Sequence, residues 1–188
     1  MPGVKIVAPS TAGDAKALLK AAIRDDNPVL VFEHKLLYGT KGPVADVSQV
    51  ERIGTSAVRR RGSDVSIVAA LAMSHTALEA AEELRLLGIE AEVIDLRCLR
   101  PLDDDLLAES AARSRHVVVV EEGPPTGGYA SEVISSIAER VHPLSISRVT
   151  MPDIPLPASG VLEDAVVPTA VTVVQAVQEM LGERSSSR

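Results

Sequence analysis

Val65-Ser66-Ile67-Val68-Ala69-Ala70-Leu71 decides how the rest of the chain reads. It is almost continuously apolar, as a strand covered on both faces must be. Ala91-Glu92-Val93-Ile94-Asp95-Leu96 and the wholly apolar Val117-Val118-Val119-Val120 read as further strands. Between the first two, residues 76–87 put Ala77, Ala81 and Leu84 on one side and Glu79, Glu82 and Glu83 on the other, a helical period that Gly88 should stop. Residues 103–112 predict a second helix, with acidic residues at the end where the helix dipole favours them. Beyond the third strand, the pattern predicts a helix over 131–141, a strand over 145–149 and a proline-stiffened connector over 151–157. A closing helix over 166–181 should carry Pro168 in its first turn. Buried strands alternating with amphipathic helices imply an α/β fold whose mainly parallel sheet is covered on both sides.

Upstream, residues 5–8 and 29–32 read as strands, and residues 14–24 as a helix whose Ala15, Leu18, Leu19 and Ala22 form one apolar face. One strand-helix-strand unit cannot cover both sides of a sheet, so this segment reads as the end of a larger domain. Residues 38–62 are rich in Gly, Pro, Ser and charge without a sustained period, and the charge balance changes there. Residues 1–62 carry 10 Lys and Arg against 6 Asp and Glu, whereas residues 63–188 carry 9 against 20, giving +4 and −11. The expected division is therefore residues 1–45, a linker over 46–62, and a second domain over 63–184. Arg59-Arg60-Arg61 reads as solvated linker.

Composition narrows the function classes. The net charge is −7, and Phe32, Tyr38 and Tyr129 are the only aromatic residues, which argues against nucleic-acid binding by phosphate neutralisation or base stacking. The longest apolar run, residues 67–73, is far below the roughly 18 residues of a membrane span. With no basic-then-apolar leader after Met1, the expected location is cytoplasmic. The lone Cys98 reads as a small buried hydrophobe.

Glu121-Glu122-Gly123-Pro124-Pro125-Thr126-Gly127-Gly128 joins a buried strand to a helix, a place where parallel sheets bind ligands. Without the GxGxxG spacing, and with two carboxylates that would repel phosphate, it reads as a structural or interface loop. Histidines 34, 75, 116 and 142 show no metal-ligand spacing. His75 reads as a capping or interface residue. Glu33 and His34 are adjacent in a strand and point to opposite faces, so they do not form an acid-base dyad.

The strings Pro2-Gly3-Val4-Lys5-Ile6-Val7-Ala8-Pro9-Ser10, Ala22-Ile23-Arg24-Asp25-Asp26-Asn27-Pro28 and Glu33-His34-Lys35-Leu36-Leu37-Tyr38-Gly39 carry a more specific signal. With Val93-Ile94-Asp95-Leu96-Arg97, Leu99-Arg100-Pro101-Leu102-Asp103, Val119-Val120-Glu121-Glu122-Gly123 and Arg148-Val149-Thr150, the chain closely resembles the beta subunit of thiamine-diphosphate-dependent 2-oxo acid dehydrogenases, most similar to the pyruvate dehydrogenase type.

That resemblance implies a three-layer α/β/α transketolase C-terminal-like domain preceded by a strand-helix-strand remnant of the pyrimidine-binding domain. It implies an oxidoreductase heterotetramer in which an alpha subunit supplies the magnesium and diphosphate site. A second beta subunit and the subunit-binding domain of the acyltransferase are the other implied partners. The cofactor-activating glutamate and the beta-subunit histidine of the family fall in the part this chain does not match, so no catalytic residue is assigned and Glu33 does not stand for that glutamate. The 188-residue chain alone is expected to be inactive. A structural potassium site in the family maps to backbone carbonyls of Ala22, Asp25 and Asn27, a hard-oxygen donor set. Pro124 replaces the family's usual Trp, Ala72 its common Arg, and Leu156-Pro157-Ala158-Ser159 lacks its aromatic. The other readings are a noncatalytic assembly module, an acetoin or branched-chain 2-oxo acid dehydrogenase beta subunit, and a nucleotide-binding domain using the 123–128 loop.

Overall fold

A computed structural model describes residues 2–45 and 51–182. Residues 46–50 of the expected linker, residues 183–184 of the expected second domain and the tail past Gly182 lie outside the described residues. In chain order, β1 (Lys5–Val7), α1 (Ala12–Ile23) and β2 (Val29–Val31) come first, followed by a single 3-10 turn at Lys35–Leu37. Then come β3 (Ala57–Arg60), β4 (Val65–Ala69), α2 (Ala72–Leu86), β5 (Ala91–Asp95), β6 (Cys98–Arg100) and α3 (Asp104–Ser114). β7 (His116–Val120), α4 (Ala130–Ala138), β8 (Ser145–Val149), α5 (Gly160–Asp164) and α6 (Ala170–Leu181) complete the order.

The larger sheet has the order β3-β5-β4-β7-β8, parallel from β5 through β8 with β3 antiparallel at its edge. On one face Val65, Ile67 and Ala69 of β4 pack with Ala77, Ala81 and Leu84 of α2 and Val173 and Val177 of α6. On the other, Val68, Ile94, Val117 and Val119 pack with Leu107 and Ala111 of α3 and Val133 and Ile137 of α4. The α/β/α layering follows from strands apolar on both sides, each fully buried aliphatic side chain contributing about 2 kcal/mol. α2 ends as expected at Gly88, whose φ is +82°. Gly88 N–H donates to the Arg85 carbonyl and Ile89 N–H to the Leu84 carbonyl, satisfying carbonyls that a helix end leaves open.

A smaller sheet, β2-β1-β6, ties the first unit to the second: β1 is parallel to β2 and antiparallel to β6. Cys98 of β6 is buried beside Val7 and Leu18, and burial pushes its thiol up.

Four expectations change. Arg59 and Arg60 are not solvated linker, because they end β3, which pairs with β5, whereas Arg61 follows the strand and is largely exposed. These arginines hold carboxylates: Arg60 meets Glu90 at 2.8 Å and Arg61 meets Glu92 at 3.4 Å. Charge hid a strand whose long side chains pair instead of dissolving. The buried face of α1 is Asp14, Ala17, Leu18 and Ala21, one residue round from the apolar stripe, so Leu19 is outside. α2 begins at Ala72 instead of residue 76. α6 begins at Ala170 behind a Thr169–Thr172 capping box, which leaves Pro168 before the helix.

Candidate functional site

Chemistry-bearing side chains collect where the C-terminal ends of β1 and β2 meet those of β4, β5 and β7. β1 runs into Pro9, Ser10 and Thr11, and Thr11 caps α1 by accepting from Asp14 N–H at 3.2 Å. The cap fixes Asp14 on the inner face of α1, where its carboxylate accepts from Arg59 and stands 3.0 Å from Arg97 Nε. Arg59 reaches across to Asp95, donating from Nη2 at 2.7 Å. The other Asp95 oxygen accepts from Ser10 Oγ at 2.9 Å and from Arg97 N–H at 3.2 Å. Arg97 also meets Glu51 at 3.0 Å.

Asp95 is completely buried, and burial drives its carboxyl above the ordinary range while Arg59 and Ser10 pull the other way. The named carboxylates of this cluster are charge-paired across the junction. Such an arrangement fastens the two units to each other.

Two histidines act at the same junction. His75, in the first turn of α2, bonds the Ser10 carbonyl through Nε2 at 2.7 Å, the interface role expected for it. His34, just past β2, meets Glu122 through Nε2 at 2.8 Å. Glu33 instead accepts from Tyr38 Oη at 3.1 Å, so Glu33 and His34 serve different partners, although both lie past the end of β2 at Val31 and not within a strand. His116 stands against the Ser114 and Asp64 carbonyls.

The glycine-rich loop is built around a carboxylate. Glu121 accepts from Tyr129 N–H at 2.7 Å and Ala130 N–H at 2.8 Å, occupying the donors that open α4. A Cβ on Gly128 would lie 2.3 Å from the Pro124 carbonyl oxygen and 2.6 Å from Glu121 Oε2. The loop is therefore self-capped, and the phosphate that a nucleotide-binding reading needs would displace an internal carboxylate.

The residues implied for potassium lie together at the far end of α1. Ala22 is in its last turn, and Asp25 and Asn27 are in the loop to β2. The Asp25 carboxylate accepts from Lys5 at 2.5 Å and from Asn27 N–H at 2.9 Å. Hydrogen bonds from Lys5 and then Asn27 hold its carboxyl at about 2. With that side chain engaged, a cation here would have to take backbone carbonyls, and the Ala22 carbonyl already accepts from Asp25 N–H at 3.4 Å.

The ion cluster is not visible in the sequence because Arg59 lies 36 residues from Asp95 and 45 from Asp14, and Ser10 lies 85 from Asp95. The arginines within a linker-like stretch were its available signal.

Comparison with known proteins places this architecture. The family model described as transketolase, C-terminal domain matches residues 54–173, and the one described as transketolase, pyrimidine binding domain matches residues 1–41. The pyruvate dehydrogenase E1 component subunit beta of Caenorhabditis elegans is 43% identical over 188 residues, covering 96% of this chain and 53% of the relative. The acetoin:2,6-dichlorophenolindophenol oxidoreductase subunit beta of Bacillus subtilis (strain 168) is 40% identical, covering 97% and 54%. The chain thus spans about half the length of these curated relatives. A solved structure described as a split gene transketolase, inactive beta4 tetramer, superposes with a TM-score of 0.80 at 32% identity, covering 98% of this chain and 59% of that one. By the match over most of its length, with three layers around a mainly parallel sheet, the chain belongs to the transketolase C-terminal domain family.

Proposed function

We propose that this chain is the C-terminal portion of the beta subunit in the decarboxylating component of a 2-oxo acid dehydrogenase complex, with pyruvate as the favoured substrate. Its role is to assemble subunits and to dock the acyltransferase. The observation that carries the reading is the order of the two matched segments, pyrimidine-binding then C-terminal, joined through β1–β6 pairing, in a chain 43% identical to an E1 beta subunit. Residues 1–45 are then the remnant of the pyrimidine-binding domain, and the transketolase C-terminal-like domain follows the residues 46–62 connection, with β3 contributing to its sheet.

Thiamine diphosphate supplies the carbanion chemistry of such enzymes when bound. The carboxylates described at the junction are engaged by arginine, serine, histidine or backbone N–H groups, so they do not by themselves make up a cofactor site. Cofactor and magnesium contacts belong in this reading to an alpha subunit and to beta-subunit segments beyond those matched here. Potassium sits on the carbonyls of Ala22, Asp25 and Asn27. The assembly is a cytoplasmic heterotetramer, and the beta4 tetramer of the solved relative supports self-association of beta chains without alpha partners.

The test is co-expression with the alpha subunit of a pyruvate dehydrogenase. Co-purification of alpha with this chain is expected. A chain that leaves alpha unbound overturns the reading, and a pair that forms without binding thiamine diphosphate supports the noncatalytic assembly module instead.

A further inference from the structure

The structure assigns a second binding place, in the crevice between the C-terminal ends of β4 and β7, to a small neutral hydrocarbon-bearing molecule. In the larger sheet β5 lies on one side of β4 and β7 on the other, while α2 and α3 cover opposite faces. Strand order therefore reverses between β4 and β7, and open α/β sheets bind ligands in the crevice at such a point. A cavity of about 200 Å³ lies there. Its walls come from the strand ends and α4: Ala70 and Leu71 after β4, Leu96 after β5, Val119 in β7, and Ala130 and Val133 in α4.

The lining selects the ligand. Three polar side chains border the cavity, and each is engaged elsewhere. Glu121 holds the N-terminus of α4, Glu122 meets His34, and the Tyr129 hydroxyl donates to the Leu99 carbonyl. Nothing here offers an anion a positive partner, and the two carboxylates oppose one. The remaining lining is apolar, and transfer of a small hydrocarbon from water onto such a surface is favourable. Leu71 forms part of the mouth with φ +53° and ψ −130°, a conformation that a leucine rarely adopts and that turns the chain sharply between β4 and α2. Strained backbone of this kind gathers at functional clefts. The site is separate from the proposed subunit role, and its test does not depend on that role.

Methyl-labelled 188-residue chain titrated with benzene, and separately with benzoate, tests the assignment by NMR. Benzene should move the methyl resonances of Leu71, Leu96, Val119 and Val133 saturably, and benzoate should leave them in place. Ala70→Leu fills the crevice and should abolish the benzene shifts while the rest of the spectrum is kept. Should that variant fail to fold, Leu71→Gly serves, since glycine accepts the positive φ and widens the cavity. It should retain benzene and admit naphthalene, which the parent excludes. Absent or unsaturable shifts in the parent, equal shifts with benzoate, or undiminished binding in folded Ala70→Leu would overturn the assignment.

Discussion

The imidazole of His34 and the carboxylate of Glu122 stand 2.8 Å apart across 88 residues of sequence, fastening the end of β2 to the loop that follows β7. Neither residue advertises the other: one follows a short strand in the first unit, and the second sits in a glycine-rich turn. Both are partly buried, with side-chain exposures of 17% and 34%, which raises the pair above a surface contact without making it a core one. Replacing either, as His34→Ala or Glu122→Gln, should cost about 1 kcal/mol in urea unfolding. The double variant should cost less than the sum of the two, since the partners act as one contact.

Arg59 matters more, because its guanidinium serves Asp14 and the wholly buried Asp95 together. Arg59→Met leaves a buried carboxylate without its cation and should cost about 3 kcal/mol near neutral pH. The sign with pH follows from Asp95, whose folded value is raised above 3.8 by burial and is restrained by Arg59. A raised carboxyl weakens the fold as pH climbs through the interval between its unfolded and folded values. Without Arg59 that interval widens upward, so the variant's deficit should be smallest in acid and grow toward neutrality in calorimetric scans.

Gly128 is fixed by crowding. Any Cβ there meets the Pro124 carbonyl oxygen at 2.3 Å and the capping Glu121 at 2.6 Å. Gly128→Ala should therefore lower stability by about 2 kcal/mol through overpacking. Glu121→Ala, which uncaps α4, should cost about 1 kcal/mol. Amide exchange should show the loss concentrated in the first turn of α4.

How far these features could be read in advance depended on their range in sequence. The parallel sheet announced itself through Val65, Ile67, Val93 and Val118, since a strand covered twice has nowhere to place polar residues. Gly88 was equally local. β3 was hidden because Arg59 and Arg60 look soluble until their carboxylate partners come into reach. α1 was misread by one residue because Asp14, polar in sequence, is drawn inward by Arg59 and Arg97. Glu121 read only as a carboxylate that would repel phosphate, because its capping of α4 depends on a loop closing back over nine residues.

Asp25 gives an acid-range prediction. Its carboxyl is held at about 2, below the ordinary 3.8, first by the Lys5 hydrogen bond and then by Asn27. A lowered value means that its contribution is present above pH 3.8 and disappears as pH falls toward 2. The carboxyl carbon of Asp25 should titrate near that low value by NMR. In Lys5→Met the midpoint should move up toward the ordinary one, with the Asn27 bonds keeping it from arriving fully.

Docking of the acyltransferase is the remaining consequence of the proposed role. Residues 63–188 carry 20 acidic against 9 basic residues, a balance of −11, so a basic subunit-binding domain would approach a surface of opposite sign. Attraction between exposed charges weakens once ions shorten the screening length to about 3 Å near 1 M salt. Calorimetric titration of the chain with the isolated subunit-binding domain of a pyruvate dehydrogenase acyltransferase should therefore give an affinity that falls steadily as salt is raised. Exposed Leu156 lies in the stretch where the family's aromatic is replaced, so Leu156→Ser tests whether an apolar contact also contributes. Binding that salt leaves unchanged would remove the electrostatic account, and no binding at low salt would remove the docking role itself.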